Sequence, residues 1–143
     1  MIRTMTRDDK DAVLKLAKVF FDERLNEIGM IYSAENASRH FDELFDKTFA
    51  LVYEFDGEVV GMIAGVISAK IFCEGITAQE IVWFVHPDHR KAGVKLLKAF
   101  EKVAKDKGCE DITMVGIAED ASNKFYLKFG YKKLQVSYFK KVG

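Results

Sequence analysis

A short segment near the middle of the chain combines a proline, several cations and a glycine. Pro87 is followed by Arg90, Lys91 and Lys95, with Gly93 among these cations. The segment lies where a predicted strand passes into a helix, and a helix start presents unpaired backbone N–H groups and a positive dipole end. Both features favour a phosphate. Arg90 can donate two parallel hydrogen bonds to it, and Gly93 lets the backbone approach because it has no Cβ.

The three cations are unfavourable for a helix start unless an anion balances them. Each opposes the helix dipole and costs roughly a few tenths of a kcal/mol. A plain solvated helix end is the alternative interpretation, because a lone glycine with flanking bases is a weak motif. An anionic ligand is the simpler explanation, because it would offset the stability that the three cations cost the helix.

A strand–helix–strand unit would position this anion site. Apolar residues predict a strand over 78–85, an amphipathic helix over 91–107 and a short buried strand over 111–116. The two strands should be parallel neighbours, joined by a right-handed crossover.

The remaining elements surround that unit. A capping box at Thr6 and Asp9 predicts a first helix that ends at Gly29, and Ser33 predicts the cap of a second helix. Asp56-Gly57 predicts a hairpin turn between strands 49–55 and 59–68. The other predicted elements are a strand at 2–5, a two-turn helix at 122–129 and a final strand pair at 131–133 and 137–140. The order β-α-α-β-β-β-α-β-α-β-β predicts an α/β (α+β) fold, a single domain over residues 1–143 with a mixed, mostly antiparallel central sheet flanked by helices.

Composition and charge exclude several classes of protein. The 143 residues carry 22 basic and 22 acidic side chains, so the excess of cations that non-specific nucleic-acid binding requires is lacking. No apolar run approaches the ~20 residues that span a bilayer, and no secretory signal pattern is present. Cys73 and Cys109 have no metal-ligand spacing. We therefore expect a cytoplasmic protein with two reduced thiols, no metal, and no nucleic-acid or membrane partner.

Two motifs resemble those of the GNAT N-acetyltransferase superfamily. The first is a strand ending in Val-x-Pro and then Arg/Gln-x-x-Gly-x-Gly/Ala opening a long helix; here these are residues 85–87 and 90–95. The second is the family's Phe/Leu-Tyr-x-x-x-Gly-Phe/Tyr element, which residues 124–131 resemble. The order of elements is also similar, so the resemblance covers essentially the whole chain. It implies a transferase that moves an acetyl group from acetyl-CoA to a primary amine.

The resemblance also implies where acetyl-CoA binds. In the family, two parallel strands splay apart and the pantetheine arm pairs with the open strand, here the strand that ends with Trp83, Phe84 and Val85. A donor on that strand would stabilise the thioester oxyanion while the amine attacks directly in a ternary complex. The pyrophosphate would lie on the helix start, formed by Arg90, Lys91, Ala92, Gly93, Val94 and Lys95.

Two residues match family positions for proton transfer. Tyr126 matches the acid that protonates the departing thiolate, and we expect Phe125 and Phe129 to form the buried face of its helix. Glu80 resembles the base of the histone-acetylating branch, and a half-buried carboxylate suits that role. The alternatives are a packed helix tyrosine and an exposed strand-edge glutamate. Glu119, His86 or an ordered water could serve as the base instead.

The sequence departs from the family pattern at two places. Lys95 replaces the usual small residue near the pyrophosphate, where it would add a contact or crowd the site. Asp120 and Glu119 occupy the positions where many members carry a cofactor-binding Asn, and Asn123 is out of register. These departures bear on individual cofactor contacts and not on the resemblance as a whole.

Two other functions are compatible with the sequence. One is a non-catalytic acyl-CoA-binding or sensing domain, and the other is an α/β interaction module without a nucleotide ligand. For the acceptor, the sequence is compatible with either an amine of a small molecule or an amine of a protein. In the family it is set by the region between the first two helices, here residues 27–33, and by the last strand pair. The sequence also leaves a homodimer open.

Overall fold

A mixed five-stranded sheet runs through the larger part of the chain. Its strands lie side by side in sequence order; they are β1 (Ile2–Thr4), β2 (Phe49–Phe55), β3 (Glu58–Ala69), β4 (Ile76–Val85) and β5 (Asp111–Thr113). The first three pairings are antiparallel, and β4 pairs with β5 in parallel. The predicted mixed, mostly antiparallel character of the sheet and its parallel pair of strands are therefore confirmed.

The part of the chain that the structure describes contains four α-helices: α1 (Lys10–Arg24), α2 (Ala34–Leu44), α3 (Ala92–Asp106) and α4 (Ser122–Lys128). This computed structural model describes residues 1–116 and 122–143. The described chain forms two units, Met1–Thr113 and Met114–Gly143. The predicted cap of α2 is confirmed, because the Ser33 Oγ accepts a hydrogen bond from the Asn36 N–H at 3.2 Å.

The sheet is buried on both faces. One face packs on α1 through a cluster of buried residues that includes Val13, Leu16, Val52 and Met62. The side of the sheet that meets α3 contains two glycines of β3, where an added Cβ would meet Leu96 at Gly61 and Phe100 at Gly65. Leu96, Leu97 and Phe100 are completely buried. Each such side chain contributes about 1.5–3 kcal/mol of hydrophobic stabilisation, so α3 is anchored firmly on the sheet.

The hairpin between β2 and β3 has the predicted turn. Asp56 and Gly57 both have positive φ, 53° and 79°, which is typical of a type I′ turn. The turn closes directly on the pair Phe55–Glu58.

The final strand pair predicted at 131–133 and 137–140 is wrong. Residues 131–143 are all described and contain no strand, and the side chains of Leu134, Val136 and Tyr138 are exposed. An alternating pattern indicates which side chains could share a face, but a strand also requires a hydrogen-bonded neighbour. The observed order therefore ends after α4. Among the described helices, none combines the length and the apolar character needed to cross a membrane.

Candidate active site

β4 contains a bulge just before its last four residues. Val82 lies opposite Ala64 on β3, whereas Glu80 lies opposite the next residue, Gly65, so Ile81 is the extra residue of β4. A bulge bends its strand and increases the local twist. The direction of β4 therefore changes between Glu80 and Val82.

The pairing of β4 with β5 stops at the same place. The parallel register covers only Thr77, Ala78 and Gln79 of β4. Among the described residues, no strand pairs with 80–85 of β4 on that side. Within the described residues, 80–85 of β4 thus form an open edge, where the resemblance implies one.

The direction of the backbone amides along this edge follows from one hydrogen bond. The His86 N–H donates to the Val60 carbonyl of β3 at 2.8 Å. Because amides alternate sides along a strand, the Phe84 N–H also points to β3, while the Trp83 and Val85 N–H groups point to the other edge. Of the three predicted strand contacts, Trp83 and Val85 therefore have the favourable backbone direction. The Phe84 side chain packs on Phe20, with ring centroids 4.5 Å apart.

The start of α3 lacks a side-chain cap in the described structure. A short 3-10 turn over Pro87–His89 leads into the helix, and the residue at the N-cap is Lys91, which has no acceptor. The first turn of α3 contains no acidic residue. Helix starts normally carry an acceptor or an acidic side chain, so this one suits an external anion.

Gly93 packs on the sheet. It is buried, and a Cβ added there would lie 3.5 Å from Trp83 and 3.6 Å from the Val85 side chain, which are ordinary contacts. Its N–H donates to the Arg90 carbonyl at 3.1 Å. Ala92 is also buried and Val94 is half-buried, so these two residues offer mainly backbone at the helix start.

Two of the three predicted cations have other contacts. The guanidinium of Arg90 lies 3.7 Å from the Glu23 carboxylate of α1, and the Nζ of Lys95 lies 5.8 Å above the ring centroid of Tyr53. Lys91 is exposed. Sequence analysis missed Glu23 and Tyr53, since nothing in the local pattern of either residue indicates a partner so distant along the chain.

Glu80 is more buried than an edge residue. Its relative exposure is 4%, so the exposed strand-edge interpretation is wrong. Carboxylates are almost never buried to this degree unless they are paired. Of the rival bases, His86 accepts a hydrogen bond from the Asp88 N–H through Nδ1 at 3.2 Å, which gives it a role in the turn. Glu119, like Asp120, lies outside the described residues.

Tyr126 is the buried residue of α4. Its relative exposure is 8%, and its hydroxyl donates to the Val115 carbonyl at 2.7 Å. Phe125 is 43% exposed, so the prediction that it forms the buried face is wrong, while Phe129 is half-buried. A helix of seven residues is too short for its apolar spacing to define one face unambiguously.

Comparison with known proteins agrees with this architecture. The sequence model of the acetyltransferase (GNAT) family matches residues 11–131. The chain therefore belongs to the GNAT acetyltransferase family. No curated protein sequence matches it significantly.

Solved structures share the fold at low sequence identity. A transcriptional regulator from Bacillus halodurans C-125 is 18% identical with a TM-score of 0.82, and 99% of each chain is covered. A ribosomal-protein-alanine N-acetyltransferase from Brucella melitensis biovar Abortus 2308 is 16% identical with a TM-score of 0.79, again over 99% of each chain. AAC(6')-Iy in complex with the bisubstrate analogue CoA-S-monomethyl-acetylneamine is 19% identical with a TM-score of 0.75, over 100% of this chain and 98% of that one. At these identities the comparison concerns the fold.

Proposed function

We propose that this chain is an acetyl-CoA-dependent N-acetyltransferase in which a primary amine attacks the thioester directly. The observation that carries the proposal is the open edge of β4 beyond Gln79, followed directly by the uncapped, cation-rich start of α3. The two features are consecutive in the chain, so a single extended ligand could bind both. The bisubstrate complex of AAC(6')-Iy supports the same ligand class.

The residues present fit coenzyme A. Backbone N–H groups at the start of α3, with Arg90 and Lys91, would hold the pyrophosphate. The Trp83 and Val85 amides would pair with the pantetheine arm, and one of them would stabilise negative charge on the thioester oxygen. Arg90 must leave Glu23 to bind a phosphate. That exchange costs little, because an exposed ion pair contributes about 0–1 kcal/mol.

Proton transfers complete the reaction. The ammonium of the acceptor gives one proton to Glu80, and the free amine attacks the thioester carbon, so that the C–N bond forms. As the tetrahedral intermediate collapses, the C–S bond breaks and Tyr126 gives its hydroxyl proton to the departing sulfur, once the hydroxyl has turned away from Val115. The second proton of the nitrogen returns to the Tyr126 oxygen, which leaves a neutral amide. If Glu80 is the base, Glu80→Gln should remove the acid limb of the pH–rate profile. An unchanged profile would exclude it.

The acceptor is an amine of a small molecule or of a protein. Structural neighbours include an aminoglycoside N-acetyltransferase and a ribosomal-protein-alanine N-acetyltransferase, which supports both classes. Residues 27–33, the region expected to select the acceptor, contain an exposed Ile31 and a half-buried Tyr32. The Tyr32 ring packs on Phe21 at 5.7 Å, so Tyr32 is fixed on α1.

Calorimetric titration with acetyl-CoA tests the proposal directly. We expect binding by the wild type and at least tenfold weaker binding by Arg90→Glu, since one phosphate contact is replaced by repulsion, a change of about 1.4 kcal/mol or more. Lys105→Glu makes the same charge change in the last turn of α3 and serves as the control. No binding by folded wild type at millimolar acetyl-CoA would overturn the proposal.

A panel of amines with thiol-release detection tests the transfer step. Peptides with N-terminal alanine, lysine peptides and neamine-type aminoglycosides represent the acceptor classes. Binding of acetyl-CoA without thiol release for any amine would favour the non-catalytic binding domain instead.

A further inference from the structure

The end of β3 is attached to the start of β5 by one lysine. Lys70 directly follows β3, and its Nζ lies 2.7 Å from a carboxylate oxygen of Asp111 and 3.1 Å from one of Glu110. The Lys70 side chain is only 22% exposed, compared with 78% for Lys102 in an ordinary surface pair. These carboxylates raise the pKa of Lys70, and Lys70 in turn lowers the pKa of Asp111, so Lys70 and Asp111 are both charged near neutral pH.

Backbone contacts converge on the same place. The Glu110 N–H donates to the Ile76 carbonyl at 3.0 Å, and the Thr77 hydroxyl donates to the Asp111 carbonyl at 3.3 Å. The Lys70 N–H donates to the Gly75 carbonyl at 3.2 Å, which closes the loop between β3 and β4. A side chain at Gly75 would collide with the Glu110 carboxylate, at 2.5 Å. The loop and the start of β5 are therefore closely fitted.

This attachment matters because β5 is so short. Only Asp111, Ile112 and Thr113 pair with β4, and the pairing ends one residue before Glu80. Three residues provide few ladder hydrogen bonds, so the groups at the start of β5 must contribute much of what fixes its register. The register in turn determines how far along β4 the pairing extends.

We propose that Lys70 is a positioning residue that fixes the register of β5 on β4 and so keeps the β4 edge from Glu80 to Val85 open for the cofactor. The inference rests on the proposed function for its effect on acetyl-CoA, but its effect on β5 can be measured in the free protein. Lys70 itself contacts no reacting atom in this scheme.

Removal of the Lys70 charge tests its role in positioning β5. Lys70→Met should weaken acetyl-CoA binding roughly three- to tenfold, as for a residue that acts through another element. Amide hydrogen exchange of Ile112 and Thr113 should accelerate in the free protein. Lys70→Arg should restore both values. Lys102→Met, which breaks one exposed ion pair with Asp106, is the matched control and should change neither.

A charge exchange separates positioning from a general loss of stability. Lys70→Glu should behave like Lys70→Met, and adding Asp111→Lys to it should recover a large part of the affinity. If Lys70→Met does not fold, Asp111→Asn removes the shorter contact and carries the same expectation. Wild-type affinity together with wild-type exchange in a folded Lys70→Met protein would overturn the inference. Failure of the wild type to bind acetyl-CoA would instead overturn the proposed function, while the exchange rates would still decide the role of Lys70 in β5.

Discussion

Glu80 and Tyr126 are each almost completely buried, with relative exposures of 4% and 8%. Glu80 precedes a bulge in β4, and Tyr126 donates its hydroxyl to a backbone carbonyl. In each case the fold holds the polar group in a restricted position before any ligand arrives. Such preorganisation is what proton transfer in a transition state requires.

Removal of the Tyr126 hydroxyl is the sharpest test at the level of a single residue. Tyr126→Phe should lower kcat by roughly 10²–10⁴-fold, the usual contribution of a general acid, and leave the Kd of acetyl-CoA nearly unchanged. Loss of the bond to Val115 should cost about 1 kcal/mol of stability. Steady-state kinetics, calorimetry and urea unfolding measure the three quantities.

The control for that variant is Tyr138→Phe. Tyr138 is 93% exposed in the same unit, so the loss of its hydroxyl should affect none of these values. Unchanged turnover in Tyr126→Phe would remove Tyr126 from the mechanism and leave protonation of the thiolate to water.

At the level of elements, the contact between β3 and α3 permits only glycine at position 65. An added Cβ would lie 2.7 Å from the Phe100 ring and 2.8 Å from the Gln79 carbonyl, and the carbonyl belongs to the backbone of β4. Gly65→Ala should therefore destabilise the protein by about 1–3 kcal/mol through overpacking. It should also weaken acetyl-CoA binding, because Gly65 lies opposite Glu80 at the bulge.

Gly93→Ala provides the contrast within α3. The added Cβ would make only ordinary contacts, and alanine is favoured over glycine in helices by up to about 1 kcal/mol, so stability should not fall. Urea unfolding of both variants measures the difference. If Gly65→Ala were as stable as the wild type, the packing of β3 on α3 would be looser than described. A selective loss of acetyl-CoA affinity in Gly93→Ala would support the predicted close approach of an anion.

Local chemistry explains which elements could be predicted. Asp56-Gly57 predicts its turn because both residues tolerate positive φ, and Ser33 predicts a cap because its hydroxyl needs only a neighbouring amide. The bulge at Ile81 leaves no local mark, since Ile81 begins an uninterrupted apolar run over 81–85 that is typical of a regular strand. The contacts of Lys70 with Glu110 and Asp111 join distant parts of the chain, so no spacing rule reveals them. The prediction of a final strand pair was wrong for the same reason. The alternating pattern can be read from the local sequence, whereas the presence of a hydrogen-bonded neighbouring strand cannot.

At the scale of the whole molecule, one ion network joins three elements. Arg3 of β1 donates to both carboxylate oxygens of Asp9, at 2.8 and 2.9 Å, and to Glu54 of β2 at 3.3 Å. The Thr6 N–H donates to Asp9 at 2.8 Å, as the predicted capping box requires. Arg3 and these hydrogen bonds hold the pKa of Asp9 below its ordinary value of 3.8, although burial acts in the opposite direction. The network thus depends on the charged form of Asp9.

The sign of the resulting pH dependence follows from that direction. A depressed carboxyl pKa stabilises the fold above the ordinary pKa, and the stabilisation is lost as the pH falls toward the folded-state pKa. Asp9→Asn should cost about 1–3 kcal/mol at pH 7 and flatten the loss of stability below about pH 4. Urea unfolding between pH 7 and pH 3 measures both effects.

The exposed ion pair of Asp46 with Arg7 provides the control for Asp9→Asn. Asp46 binds Arg7 at 2.7 Å, but its side chain is 78% exposed, so Asp46→Asn should change stability by less than about 0.5 kcal/mol. Equal losses in the two variants would show that the Asp9 network adds nothing beyond surface charge.

The pairing of β1 with β2 also constrains how the chain is made. Ile2 is matched to Tyr53, and two helices lie between these strands in the sequence. During synthesis, β1 therefore stays unpaired until residue 53 has left the ribosome. The hairpin of β2 and β3 can form as soon as its own residues have been synthesised. Contacts between distant residues form slowly because the loop between them must first be closed. The β1 edge of the sheet is thus translated well before its partner strand and is among the last parts of the sheet to form.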